Sequence, residues 1–150
     1  MFLDRQLNEI EALIKKAHTE NSRVSKKGID WHLDHSLKVL INIPKALHNS
    51  NPKAYKSNFN FLRFLIYTLN YIPRGTGKAP KHVRTFDPIT KEQLIAQFEQ
   101  AKEALKQLDG LDKNSHFQHP YFGILNLKQS KKMMRLHTDH HLKICREIVK

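Results

Sequence analysis

Four stretches of the chain carry apolar residues at intervals of three and four, the spacing of an amphipathic helix. They are residues 3–18, 30–48, 90–108 and 126–149. Asp30 is placed to cap the second predicted helix, and Thr90 forms a capping box with Gln93 at the start of the third. The intervening residues 111–125 are expected to form a loop.

The segment between the second and third predicted helices is long and has two parts. Residues 59–71 are rich in aromatic side chains and are expected to be helical, although a buried strand is also compatible with so short an apolar run. Residues 72–88 are basic and interrupted by Pro and Gly, but they are not a P-loop, since Ile72 and Ala79 replace its Gly and its hydroxyl residue. With short connections elsewhere, this segment predicts an all-α four-helix bundle with a long crossover between helices two and three.

The size and composition of the chain are those of a single globular domain, residues 1–150. A hydrophobic content of 39% beside 27% charged residues argues against disorder. The most apolar stretch is too short to span a bilayer, and the N-terminus lacks a secretory signal pattern, so we expect a cytoplasmic protein without a membrane partner. The single cysteine, Cys145, excludes an internal disulfide.

The net charge of +12 predicts attraction to polyanions, including nucleic acids. The Lys and Arg residues are nevertheless spread along the chain rather than gathered in an arginine-rich block. We therefore do not expect specific nucleic-acid binding, and we interpret most of these charges as solvated helix surface.

Two histidines of the last predicted helix, His137 and His141, are four residues apart and so lie one turn from each other. They share a helix face with apolar residues such as Met134 and Ile144, and no acidic residue lies between them on that face. Buried imidazoles need partners for their ring nitrogens. A metal ion bound by both rings is the simplest partner, and hydrogen bonds to backbone carbonyls or water are the alternative.

A metal ion held by two histidines needs a further ligand from another element. Cys145 points away from His137 on the helical wheel and is interpreted as a packed apolar side chain. In the second helix, His32 lies nearer the apolar arc than His35, but spacing does not decide between them. His140, at the edge of the arc in the last helix, is a further candidate.

Four short segments, taken in order, make the sequence similar to the DinB/YfiT-like superfamily of metal-binding four-helix bundles, and within it to a bacterial branch of domains of unknown function. They are WHLDH at residues 31–35, PRGTGKAP at 73–80, HPYFG at 119–123 and HTDHH at 137–141. The resemblance implies a metal site formed by His35, His137 and His141, and it thereby selects His35 over His32. We identify none of the thiol-binding residues of the superfamily's thiol transferases in this chain.

Three imidazole ligands leave a coordination position open, as in catalytic rather than structural sites. We expect a divalent ion, with Zn or Ni as the first choices and Fe or Co also compatible. Such a site can acidify water or hold a thiolate, so the predicted function is that of a metal-dependent transferase of small thiols or a hydrolase. His119, just before the last helix, is a candidate for proton transfer or for supporting a ligand, or is otherwise a surface-loop histidine. The competing hypothesis is a metal-free or polyanion-binding basic helical module.

The basic crossover is the candidate source of substrate selectivity. Arg74, Lys78, Lys81 and Arg84 are predicted to flank the metal pocket and to favour a small substrate with an anionic group. If they lie far from the histidines, they are ordinary solvated charges. A homodimer is compatible with the chain, but no pattern in the sequence specifies one.

Overall fold

The computed structural model describes residues 2–75 and 88–150. Within these ranges the chain forms α1 (Asp4–Ile14), α2 (Ile29–His48), a 3₁₀ turn (Pro52–Ala54), α3 (Phe61–Leu69), α4 (Lys91–Lys106), β1 (His116–His119), β2 (Gly123–Asn126) and α5 (Leu127–Ile148). The predicted predominance of helix is confirmed. In this part of the chain, no helix is both long enough and apolar enough to cross a membrane.

The core lies between α2 and the helices around it. α2 packs against α4 and α5, and α1 packs against the same two helices. Leu33, Leu37 and Leu40 are almost completely buried, because their spacing of three and four places them on one side of α2. α5 contributes Met134 and Leu142 to the same core.

α2 begins at Ile29 with Gly28 as its N-cap, so the prediction of Asp30 as N-cap is wrong. The backbone N–H groups of Ile29 and Asp30 donate to the carbonyls of Thr19 and Ala17, at 3.1 and 2.9 Å. The segment after α1 therefore satisfies donors that a capping side chain would otherwise serve. Asp30 lies in the first turn instead, where its carboxylate faces the positive end of the helix dipole.

Side-chain caps begin α4 and α5. Thr90 Oγ1 accepts the N–H of Gln93 at 3.2 Å, and Gln93 Oε1 accepts the N–H of Thr90 at 2.9 Å, so the predicted capping box is confirmed. Asn126 and Gln129 form a second capping box at the start of α5. This box helps to fix where α5 begins, and with it which of its residues turn toward α2.

The prediction of a loop at residues 111–125 is wrong, because β1 and β2 form an antiparallel hairpin in which His119 is paired with Gly123. Strands of four residues are too short to show a clear alternation in the sequence. Gly123 has a φ of +70°, and the amide of Asn58 occupies the space that a Cβ would need, so the turn requires glycine. The hairpin packs against α2 and α5, which brings the HPYFG segment to the helices that carry the histidines.

α3 confirms the helical interpretation of the aromatic segment. An ordinary surface helix buries its apolar side, whereas α3 exposes most of its apolar residues. Arg63 and Ile66 are buried. The exposed side, called here the outer face of α3, consists of Phe61, Leu62, Phe64, Leu65 and Leu69.

Candidate metal centre

Three histidines converge between α2 and α5. One ring nitrogen from each of His35, His137 and His141 lies within 4.8 Å of the other two, an arrangement that can hold a metal ion. The Nε2 atoms of His35 and His137 are 3.1 Å apart. Two nitrogens bound at ~2.1 Å to one tetrahedral ion would be about 3.4 Å apart, so these two rings already stand close to ligand spacing.

The helix positions explain this convergence. His137 and His141 lie one turn apart on α5 with ring centroids separated by 4.6 Å, as their i, i+4 spacing predicts. His35 comes from the N-terminal part of α2, which packs directly on α5. The structure therefore brings together the three residues of the predicted triad, with His35 and His141 buried and His137 partly exposed.

His32, the other candidate on α2, also reaches the site but contacts it differently. Its Nδ1 lies 3.0 Å from Nδ1 of His141, and its Nε2 lies 3.0 Å from Oγ of Ser25. A hydrogen bond between two ring nitrogens requires a proton on one of them, so His32 and His141 constrain each other's tautomers. His32 thus contacts His141. His35 is instead one of the three histidines whose ring nitrogens lie within 4.8 Å of one another, called here the close group. His140 lies edge-on to His141, with ring centroids 5.1 Å apart.

Burial favours the neutral form of several of these imidazoles. Desolvation, reinforced by repulsion from neighbouring histidines, holds the pKa of His137 and the pKa of His141 well below the ordinary value of 6.5. Desolvation, with a smaller contribution from His140, lowers the pKa of His32 to about 4. Neutral imidazole is the form that binds a metal ion. Near neutral pH, His137 and His141 can therefore accept a cation without first losing protons.

The ring of His137 is incompletely satisfied by protein groups. Its Nδ1 is buried and has no hydrogen-bond partner within residues 2–75 and 88–150, while its Nε2 faces the ring of His35. A buried polar atom without a partner costs about 1–3 kcal/mol. A metal ion shared with His35 would bind Nε2, so the unpartnered Nδ1 of His137 needs a separate partner such as water.

Two residues of α2 near His35 make contacts to which sequence reasoning assigns no role. Trp31, one turn earlier, stacks on the ring of His35 with centroids 5.2 Å apart and 15° between the planes. Asp34 is buried, and its carboxylate oxygens lie 2.7 Å from Nε2 of Gln97 on α4 and 2.7 Å from Nζ of Lys38. The i, i+4 spacing of Trp31 and His35 is a sequence signal for the stack. No nearby residue in the sequence indicates that Asp34 forms a hydrogen bond between α2 and α4.

The three histidines line one side of a cavity of about 860 Å³. The walls come from α2, α3, the hairpin and α5 and are largely apolar, with Val39, Ile66, Phe117 and Met133 among their residues. A cavity of this size accommodates a small organic molecule next to the imidazole group.

One residue of the predicted basic rim can be placed. Arg74 lines the cavity, and its Nη2 lies 2.8 Å from Oε2 of Glu147 on α5. This ion pair reduces the charge that Arg74 presents to an anion. Lys78, Lys81 and Arg84 lie outside the described residues, so their part of the prediction stays a prediction.

His119, the predicted proton-transfer or supporting residue, lines the same cavity from the hairpin. Its Nδ1 accepts the backbone N–H groups of Tyr121 and Phe122, both at 3.1 Å, so its ring proton is on Nε2. The ring stacks on Phe122 with centroids 4.5 Å apart, and burial lowers the pKa of His119 to about 4. The alternative of a surface histidine is wrong, because His119 is buried and holds the turn together.

Cys145 is buried in the core, as predicted. Burial, reinforced by the carboxylate of Glu9, raises the pKa of its thiol to about 12. A protonated, buried thiol is inert as a nucleophile and as a ligand.

Comparison with family models, with curated proteins and with solved structures finds no match to this chain. The likeness to the DinB/YfiT-like superfamily therefore stays a prediction that rests on the four sequence motifs.

Proposed function

We propose that this chain is a metal-dependent enzyme in which His35, His137 and His141 hold a divalent cation with a coordination position open to substrate. The observation that carries the proposal is the approach of three imidazole nitrogens to within 4.8 Å of one another at the wall of a cavity of about 860 Å³. A structural site is usually closed by a fourth protein ligand, most often Cys. In the described ranges the close group contains three histidines and no cysteine or carboxylate.

The fold we propose is a four-helix bundle of the DinB/YfiT-like type, formed by α1, α2, α4 and α5. The packing of α2 on α4 and α5, and of α1 on the same helices, supports this arrangement. α3 lies in the long connection between α2 and α4, which corresponds to the predicted crossover. In such a bundle the metal would lie between the second and last helices.

Three neutral nitrogen donors favour Zn or Ni, with Fe or Co also compatible. When bound, such an ion supplies Lewis acidity that lowers the pKa of a coordinated water or small thiol. The proposed reaction is therefore transfer of a small thiol to an electrophile, or hydrolysis. The substrate class is a small molecule, and one that carries an anionic group would have to compete with Glu147 for Arg74 at the cavity wall.

The residues around the cavity have distinct parts in this proposal. Trp31 and His32 hold the rings of His35 and His141 in place through the stack and the hydrogen bond described above. The apolar walls limit access of water, which strengthens electrostatic interactions within the cavity. His119, neutral and with its proton on Nε2, is proposed to donate a hydrogen bond from Nε2 to the substrate and so to stabilise negative charge that develops in the reaction.

Elemental analysis of protein purified without a polyhistidine tag tests the metal site. Wild-type protein is expected to retain a stoichiometric amount of one divalent metal, and His35→Gln and His137→Gln are expected to lose it. His48→Gln removes an exposed histidine from the end of α2 and is the matched control, expected to retain the metal. Protein that retains no divalent metal and takes up none of Zn, Ni, Fe or Co would exclude the site.

Two assays then test catalysis: hydrolysis of a chromogenic ester, and conjugation of a small thiol to a fluorogenic electrophile. Activity in either assay that chelation removes and added metal restores would support the enzyme. Bound metal without activity in both would reject these reaction classes while keeping the metal site. The competing basic module predicts polyanion binding that falls steeply with salt and does not respond to chelators.

A further inference from the structure

The outer face of α3 is a large exposed apolar surface. Phe61 is 68% exposed and Leu69 is 61% exposed, and the flanking residues Phe59 and Tyr71 are 79% and 52% exposed. With Phe64 at 56%, the three Phe rings alone leave roughly 400 Å² accessible, given about 200 Å² for each ring. The largest apolar patch of a typical monomer is about 300–600 Å², and the leucines and Tyr71 extend this one further.

Polar contacts on the opposite side of α3 hold this face outward. Arg63 Nη1 donates to the carbonyls of Phe122 and Ile124, at 3.0 and 3.1 Å. The hydroxyl of Tyr67 donates to the carbonyl of Gln129 on α5 at 2.7 Å. Rotating α3 to bury its apolar side would break these bonds and expose the groups that they satisfy. These hydrogen bonds therefore fix the orientation of α3 in the folded protein.

The sequence in and around α3 is free of acidic residues over long ranges. No Asp or Glu occurs from residue 35 to residue 86, or from residue 113 to residue 138. These ranges include α3, the hairpin and the first half of α5. Lys56 is exposed just before α3, and Nζ of Lys132 lies 5.4 Å from the ring centroid of Tyr67. Lys residues thus lie near the apolar face, and no Asp or Glu is close to them in the sequence.

We propose that the outer face of α3 docks this protein on the surface of an anionic lipid bilayer. Exposed Phe and Leu side chains beside Lys are the composition of a helix that lies in the membrane interface, where apolar burial and attraction to anionic headgroups add. Nucleobases would stack on the Phe rings but leave the leucines of the face uncovered, and a second copy would place two basic faces without acidic residues against each other. The expectation of no membrane partner rests on the lack of a spanning segment, which does not bear on contact of this kind.

Vesicle co-sedimentation of the full chain tests the proposal without reference to the metal. The probes are vesicles of phosphatidylcholine alone and vesicles in which a third of the lipid is phosphatidylglycerol. Wild-type protein is expected to bind the anionic vesicles at least about tenfold better, and high salt is expected to weaken that binding. The variant Phe61→Gln/Phe64→Gln/Leu65→Gln is expected to lose binding by at least about tenfold.

The matched control is Ile95→Gln, which removes a 47% exposed apolar side chain from α4 and is expected to bind as wild type does. Circular dichroism checks that both variants keep their helix content. Equal vesicle binding by the triple variant, or none by wild type, would overturn the proposal. So would dimerisation of wild type that the triple variant abolishes in the absence of vesicle binding, or displacement of the vesicles by a single-stranded oligonucleotide that the same face binds.

Discussion

At the scale of single residues, several polar side chains are buried, which costs free energy. The structure offsets that cost differently for each of them. His137 and His141 are kept neutral by desolvation, which removes the cost of a buried charge but leaves ring nitrogens in need of partners. Arg63 keeps its charge and is satisfied by backbone carbonyls of the hairpin. His119 is neutral and accepts two backbone N–H groups. Each compensation predicts a different response to substitution.

Replacement of His119 by Asn is expected to change how stability depends on pH. The folded-state pKa of His119 is lowered by burial from 6.5 to about 4, so the unfolded chain takes up a proton first as the pH falls. Its contribution is present above pH 6.5 and is lost toward pH 4, by up to roughly 3 kcal/mol. Asn keeps an acceptor near the position of Nδ1 and does not titrate. The free energy of unfolding of the variant should therefore fall less steeply with decreasing pH over this range.

The measurement is the free energy of unfolding in urea at several pH values between 4 and 8. The difference between wild type and His119→Asn isolates this residue from the other histidines. His48→Asn controls for the loss of a histidine at an exposed position. A wild-type minus variant difference that is constant with pH would contradict the expectation.

Replacement of Arg63 by Leu is expected to lower the free energy of unfolding by roughly 3 kcal/mol, because hydrogen bonds to a charged donor are strong and the carbonyls of Phe122 and Ile124 would lose it. Urea denaturation measures the effect. Lys56→Leu, an exposed cation five residues before α3 begins, is the control and is expected to change stability by less than about 0.5 kcal/mol. A similar loss of stability in both variants would show that the hydrogen bonds of Arg63 to the hairpin contribute no more than an exposed cation does.

At the scale of elements, the site depends on how α2 and α5 begin and on what holds them together. α2 takes its N-terminal hydrogen-bond partners from the segment after α1, and α5 takes its own from Asn126 and Gln129. Asp34 links α2 to α4 through Gln97. α2 is thus held on the sides away from the histidines, while α5 is started by its own capping box.

Removal of the cap of α4 is expected to cost stability without changing the metal site. Thr90→Ala removes the acceptor for the N–H of Gln93 and should lower the free energy of unfolding by ~1 kcal/mol. Thr90→Ser keeps that acceptor and is expected to stay close to wild type. Urea denaturation of the two variants, with metal content measured in parallel, checks this. Equal stability of the Ala and Ser variants would mean that the capping box contributes little.

At the scale of the whole molecule, a metal ion at the histidines would join α2 to α5, two elements far apart in the sequence. Binding to the folded chain alone stabilises it by about 4 kcal/mol at a thousandfold excess of free metal over Kd. For a chain of this length that corresponds to an increase in Tm of roughly 8–16 °C. The pKa values of His137 and His141 are lowered in the folded protein, so protons compete with the metal for these two rings only as the pH falls below those values.

Protein loaded with Zn or Ni is therefore expected to melt at a higher temperature than chelated protein at pH 7.5. Protonation of the unfolded chain destabilises loaded and chelated protein alike, so the gap is expected to shrink only as the pH falls through the lowered folded-state pKa values of His137 and His141. Differential scanning fluorimetry measures it. His141→Gln should abolish the gap while leaving a folded protein, because the core of α2, α4 and α5 does not depend on the ion. A Tm at pH 7.5 indifferent to chelator and to added metal would argue strongly against the site.

Local sequence determined the parts of this protein whose cause is local. Three features follow from helical periodicity and from hydrogen bonds between residues a few positions apart: the close approach of the His137 and His141 rings, the capping box of Thr90 and Gln93, and the positions of the long helices. The spacing in α5 was enough to propose that the histidines share a ligand.

Tertiary structure decided what depends on partners distant in the sequence. Periodicity leaves His32 and His35 undecided, because both lie near the border of the buried arc of α2, and only packing against α5 shows that His35 joins the close group while His32 contacts His141. The helix start at Ile29 depends on carbonyls ten or more residues earlier. The outward face of α3 depends on the carbonyls that Arg63 finds in the hairpin. A helical pattern shows which residues share a face, but not which face the rest of the chain will cover.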